Sequence, residues 1–335
     1  MKILLTSSNI SSPSYQFYKE SLSKITKKKK NIKFFFKKFD QNLLSKHYDI
    51  ILFMSGTKNI NFSKIKDSKC GIVDPRAANY DNFKNYNFII ANGLEEKNFF
   101  SYTKLPIFIY PVYPSVKLIK KKSIKKKTII TYHGNREHLL NMYPRITHAI
   151  KELANKYLIE LLLIYDVKKK GKIGIFNNNN LGCKVIHKQY YSNCFDKYLH
   201  NTDIGLVPQL QSFKNNEIKK NILEYISKRF FKKKYFFSLN FKETTNLGRH
   251  LVFAQSKIPI VTDYTLSSSN FINHGHNGML AHDTDDWFKS IKYLIENKYQ
   301  SKKIGSQLYL DWKKNFSHIN LNINLLKFID NLNEI

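Results

Sequence analysis

The segment His133-Gly134-Asn135-Arg136 has residue types that fit a definite chemistry. A β-rich run ends at it and an amphipathic helical pattern follows to about residue 157, which makes it the turn of a βα unit. Backbone N–H groups at such a turn carry partial positive charge and can hold a phosphate without a dedicated side chain. Gly134 has no Cβ to keep an anion from the backbone, and equally suits an ordinary turn. His133, Asn135 and Arg136 would add hydrogen bonds or charge to a bound anion, or serve only as loop residues. Asp166 ends an apolar run at its carboxyl edge, where ligands gather in open parallel sheets, or else caps the next turn. Nearer the N-terminus, Cys70-Gly71-Ile72-Val73-Asp74-Pro75-Arg76 places an acid and an arginine after a buried run. Asp74 suits a general base for a hydroxyl if it comes within hydrogen-bond reach of the proton; the alternative is a turn-forming Asp-Pro pair. His274 and His276 flank Gly275, but no third ligand stands at a spacing that would hold a metal ion.

These residues lie at the ends of strand-like runs that alternate with helical segments, the pattern of an α/β fold. The runs cover residues 2–6, 32–39, 50–54, 71–73, 88–91 and 107–110, then 128–132, 160–165, 184–186, 202–208 and 258–262. Helical periodicity covers 15–30, 144–157, 193–200, 247–255 and 284–296, the last with Trp287 and Phe288 on its apolar face. The loop at 7–14 has Ser, Asn and Pro but no glycine fingerprint, so the first half lacks a dinucleotide motif. Pro106, Pro111 and Pro114 followed by clustered lysines mark a linker at 116–127. The expected division is a domain at 1–115, a second at 128–317 and a final helix at 318–335. A basic, aromatic segment at about 211–242 reads as an insert in the second domain.

The chain has 335 residues, more than single cores usually reach, so two domains are expected. Hydrophobic residues make up 42%, which excludes a disordered protein. Fifty-six Lys and Arg against 25 Asp and Glu give a net charge of +31, a field that attracts polyanions, anionic membranes or phosphorylated molecules. Richness in Lys, Asn, Ile, Phe and Tyr looks shaped by codon bias, which explains part of this charge but not its sign. Three cysteines, Cys70, Cys183 and Cys194, are too few and too scattered for a disulfide framework, which suits a reducing, cytoplasmic setting. No window approaches 18 uninterrupted apolar residues, so any membrane contact is peripheral. Phe230, Phe231, Tyr235, Phe236 and Phe237, among the lysines of the insert, fit either an anionic bilayer surface or a packed surface helix.

Four segments carry a family likeness: the Gly-bearing loop at 131–140; Asp203-Ile204-Gly205-Leu206-Val207-Pro208; the helix and proline-led strand over 248–261; and residues 271–280 with Asp286-Trp287 after them. Together, over roughly 128–300, they resemble the nucleotide-sugar domain of GT-B glycosyltransferases, especially the family-4-like (group 1) set. The resemblance implies two Rossmann-like domains with parallel sheets facing a cleft, a nucleotide-diphosphate sugar held by the second and an acceptor by the first. It also implies no cofactor and no metal ion.

In the family, paired glutamates stand eight positions apart. With Pro259 as anchor they would fall near Thr244 and Val252, so the second is absent and the first shifts to Glu243. Relatives with a basic residue at the place of Arg249 imply a contact to the leaving diphosphate, and a guanidinium can bind two phosphate oxygens at once. Asn246 and Gly248 would start a helix whose N–H groups point the same way. Lys188 stands where relatives contact the base, or is a solvated lysine. The implied activity is transfer of a sugar to a hydroxyl of a glycan or lipid-linked glycan, as in surface polysaccharide synthesis, with an anionic membrane surface as a further partner. The alternatives are a catalytically inactive relative that keeps the fold for binding, and a basic nucleic-acid-binding protein, for which no recognised module is present.

Overall fold

Apolar runs and helical repeats fold into two parallel sheets. The computed structural model describes residues 1–26, 31–75, 83–117, 127–192, 194–212, 239–240 and 245–332. The first sheet contains β1 (Lys2–Ser7), β2 (Lys33–Lys38), β3 (Ile50–Met54), β4 (Lys69–Val73), β5 (Phe88–Ala91) and β6 (Ile107–Ile109). Its order is β2-β1-β3-β4-β5-β6, with every neighbour parallel. The second contains β7 (Thr128–His133), β8 (Ile159–Tyr165), β9 (Lys184–Gln189), β10 (Ile204–Val207), β13 (Ile260–Asp263) and β14 (Met279–Ala281). Its order is β14-β13-β10-β7-β8-β9, again all parallel. Helices cover parallel sheets on both faces, and so β3, β5, β7 and β8 are buried along their whole length; β3 and β5 read as unbroken apolar runs, while β7 carries Thr128, Thr131 and His133 and β8 carries Glu160.

Element boundaries move where local chemistry decides them. The first helix runs Pro13–Thr26, with proline at its first position, where its missing N–H costs nothing. Residues 27–30 of the expected helix lie outside the described residues. The helix expected from 144 is Arg145–Ala154, and the strand expected from 258 starts at Ile260, after Pro259. The helix expected at 193–200 contracts to Asp196–Leu199. An unforeseen helix, Leu266–Phe271, starts at Thr265, whose side chain accepts from the Ser268 N–H. Most of the basic insert and linker residues 118–126 lie outside the described residues. The insert is flanked by a short antiparallel pair, β11 (Gln211–Ser212) with β12 (Leu239–Asn240). No described helix is long and apolar enough to cross a membrane.

Three devices hold the two halves in register. After β6 the chain crosses over with its backbone tied to Gln255, which donates to the Pro114 carbonyl at 3.1 Å and accepts from the Val116 N–H at 3.0 Å. The helix His318–Asn331 returns to the first sheet: Asn322 accepts from the Tyr110 hydroxyl at 2.6 Å and donates to the Ser21 carbonyl at 2.9 Å. Phe328 packs there on Phe88 and Phe108. Finally, the Glu95 carboxylate accepts from both the backbone N–H and the hydroxyl of Ser267. Gly93 lets that contact close, since a Cβ there would stand 2.6 Å from the Thr245 carbonyl oxygen and 2.7 Å from the Ser267 hydroxyl.

Candidate active site

β7 is buried throughout and delivers Tyr132, His133 and Gly134 to its carboxyl edge. Gly134 has a φ of +135°, and a Cβ on it would lie 3.1 Å from Arg249 Cδ and 3.2 Å from the Tyr132 hydroxyl. The glycine therefore makes room for the Arg249 side chain, where the sequence suggested room for a phosphate. Asn135 caps the next helix by accepting from the Glu137 N–H at 3.1 Å. That helix, Arg136–Leu140, has only five residues. It is too short for its dipole to carry the site.

The longer helix Gly248–Gln255 takes that place and carries Arg249 in its first turn. Asn246 shapes the entry, accepting from the Gly248 N–H at 2.8 Å and donating to the Val112 carbonyl of the crossover at 3.0 Å. A Cβ on Gly248 would come within 2.6 Å of that same carbonyl oxygen, so glycine is required by packing between the halves. The Arg249 guanidinium lies 5.8 Å from the centre of the Tyr132 ring, beside its hydroxyl. The hydroxyl in turn donates to the Asn135 carbonyl. Arg249 Nη1 is buried and has no hydrogen-bond partner among the described residues.

Burial lowers the Arg249 pKa, against the opposing pull of Tyr132 and Asp263. Guanidinium still stays protonated in proteins. A desolvated cation with an unsatisfied N–H is costly, and an anion in the cleft offsets that cost. His133 sits between Phe195 and Phe253, its Nε2 likewise without a partner among the described residues. Burial, reinforced by Arg249, pushes its pKa down to about 3, so near neutral pH it offers a hydrogen bond and no charge.

The facing wall comes from the first sheet. Asp74 follows β4 in the left-handed region at φ +52°, its N–H bonded to the Ile90 carbonyl at 2.9 Å. Glu96 is fully buried and accepts from the Asn92 N–H after β5. Tyr18 donates to Asn92 at 3.2 Å; burial raises its pKa, and Asp74 and Glu96 raise it further, which places both carboxylates near the phenol. Asp74, Asn92 and Glu96, with Ser14, Val112, Gln209, Thr245 and Val252 and the residues around Arg249, line one cleft of about 390 Å³ between the carboxyl ends of the two sheets. Ligand sites of open α/β sheets form at this edge.

Of the residues named from sequence, Asp74, His133, Gly134, Asn135, Asn246, Gly248 and Arg249 come together in this cleft. Arg136 does not: its guanidinium donates to the Gly171 carbonyl and lies 5.9 Å from the Tyr165 ring centre. Asp166 accepts from Gln189 at 3.1 Å and Lys188 lies 5.7 Å from the Tyr198 ring centre, and neither lines the cleft. Glu243 lies outside the described residues, as does Arg76. Val252 presents its side chain to the cleft where the family's second glutamate was expected.

Glu96, Asn92, Tyr190 and Gln209 were missed in the sequence. Only Asn92-Gly93 after a strand hinted at a ligand-facing turn. Gln209 is placed by a buried ion pair: Asp263 accepts from Arg145 in two bonds, from Trp287 at 3.2 Å, and from the Gln209 and Leu210 N–H groups at 2.7 and 2.9 Å.

Two parallel six-stranded sheets facing a cleft, with the last helix returning to the first, form the GT-B arrangement of glycosyltransferases. No protein-family model matches the chain, and no curated protein matches it in sequence. Solved structures do match. HepE of Anabaena, in complex with UDP and glucose, shares 11% identity over 99% of this chain and 100% of its own, at a TM-score of 0.62. WaaB, a lipopolysaccharide outer core galactosyltransferase in its apo form, shares 13% over 99% of each chain at 0.61. TarM of S. aureus shares 13% over 83% of this chain at 0.58, and this chain spans only 54% of TarM. At these identities the likeness defines the fold, and it bears out the GT-B resemblance seen in residues 128–300 across nearly the whole chain.

Proposed function

We propose that this chain is a metal-independent glycosyltransferase that moves a hexosyl group from a nucleoside-diphosphate sugar to a hydroxyl of a glycan or lipid-linked glycan. The observation that carries the reading is the buried Nη1 of Arg249 in the interdomain cleft, without a partner among the described residues. In this transfer the bond from the anomeric carbon to the diphosphate oxygen breaks and a bond to the acceptor oxygen forms. Negative charge builds on the leaving diphosphate. A fixed guanidinium already stripped of water stabilises that charge more than the ground state, which is the condition for acceleration. His133 adds a neutral hydrogen-bonding atom beside it. Asp74, on the facing wall, takes the proton of the acceptor hydroxyl.

Similar structures support the substrate class: HepE is held with UDP-glucose, and WaaB is a galactosyltransferase of the lipopolysaccharide outer core. A uridine donor and a cell-surface glycan acceptor are the corresponding choices for this chain. The excess of +31 favours work at the anionic inner face of a membrane from the cytoplasm, each lysine near such a surface adding about 1 kcal/mol.

Thermal unfolding with and without UDP, GDP and dTDP tests this in the wild type and Arg249→Ala. At least one nucleotide raises the wild-type midpoint by a few degrees, and the substitution abolishes the gain. An equal gain in both proteins removes Arg249 from the site; no gain with any nucleotide overturns the reading.

A further inference from the structure

The run Asn177-Asn178-Asn179-Asn180 has no part in the cleft, yet it borders a second depression of about 410 Å³. Three of its amides make internal bonds: Asn177 accepts from the Asn180 N–H and Asn178 from the Val185 N–H, both at 2.8 Å, and the Asn180 amide donates to the Ile175 carbonyl at 3.4 Å. The side chains of Asn179 and Asn180 line the depression and are exposed. Thr147, His148 and Lys151 form the opposite wall, on one face of the helix Arg145–Ala154. The Tyr143 ring, 54% exposed, also lines it. The volume lies within the range of about 300–1,000 Å³ typical of small-molecule sites.

An aromatic face open to water stacks on the C–H face of a sugar ring, the Asn179 amide and the Asn180 carbonyl oxygen match vicinal hydroxyls as donor and acceptor, and a lysine matches a carboxylate. We propose that this groove is a second carbohydrate-binding site, selective for an acidic glycan, which holds the acceptor chain outside the cleft. Tyr143 stands five positions after His138 of the cleft wall. The acceptor role rests on the glycosyltransferase reading, whereas binding at the groove does not.

Calorimetric titration of the full chain with hexagalacturonate and with maltohexaose tests the proposal. Hexagalacturonate binds the wild type more tightly than maltohexaose does. Tyr143→Ala, Lys151→Ala and Asn179→Asp each weaken it by about fivefold or more. Asn179→Asp is an exposed change that keeps the fold even if Tyr143→Ala does not. UDP-dependent stabilisation stays unchanged in these variants. Failure of the wild type to bind hexagalacturonate, a preference for maltohexaose, or binding unaffected by Lys151→Ala and Asn179→Asp overturns the groove. Loss of UDP stabilisation from every protein with oligosaccharide binding intact overturns only the reading of the cleft.

Discussion

Gly134 and Arg249 belong to different βα units, yet the space beside the glycine Cα is filled by the arginine stem, 3.1 Å from where a Cβ would stand. The loop thus sets the guanidinium position, and its own φ of +135° is closed to L side chains. Gly134→Ala is expected to cost about 1–3 kcal/mol in stability. It also displaces Arg249, so the nucleotide-dependent rise in unfolding temperature shrinks as it does in Arg249→Ala. Chemical denaturation with and without UDP measures both effects, and a full nucleotide gain in Gly134→Ala would separate the two residues.

Asp74 is the cleft carboxylate that directly follows a strand end of the first sheet. Asp74→Asn keeps the shape and removes the base. Turnover is expected to fall by roughly 10²–10⁴-fold, the usual contribution of a positioned general base. UDP stabilisation should stay intact, because the donor wall is untouched. Single-turnover sugar transfer measures the loss, and wild-type turnover in Asp74→Asn would assign proton removal elsewhere.

Three buried imidazoles make stability depend on pH in one direction. Burial depresses His133 and His250 to about 3, Arg249 adding to both, and His318 to about 4, where Lys24 adds. Unfolded, each returns to about 6.5. Below that value the unfolded chain binds more protons than the folded one, so their contribution is complete above about pH 6.5 and is lost as the pH falls toward the folded values. The unfolding midpoint should drop between about pH 7.5 and about pH 5, and His133→Gln should flatten the drop. A slope unchanged by the substitution would show that this imidazole titrates normally.

Much of the architecture was legible because strand burial in a parallel sheet is a local property of composition. The runs at β3 and β5 are apolar end to end, and with the mainly apolar β7 and β8 they stand within a residue of where the sequence placed them. Boundaries slipped where a single residue decides: Pro259 delays β13, and Thr265 starts a helix that a serine-rich stretch conceals. In the site, Gly134, Gly248 and Arg249 were recognisable because each sits where an element starts or ends. Glu96 was not, since nothing in its helix distinguishes it from the neighbouring Glu95, which instead bridges to Ser267.

The positions of the strand runs along the chain, the glycine at the end of β7 and the arginine at the head of the Gly248–Gln255 helix follow from the sequence alone, because each depends on residues a few positions away. Which charges face the cleft was settled by tertiary packing. Arg136 turns to the Gly171 carbonyl, 35 positions along, while Arg145 reaches Asp263, 118 positions along, and so frees neither cation for a ligand. Among the described residues the Arg249 Nη1 finds no partner, with the Tyr132 ring and Gly134 packed beside it. Burial and pairing are properties of distant segments brought together, and no local pattern encodes them.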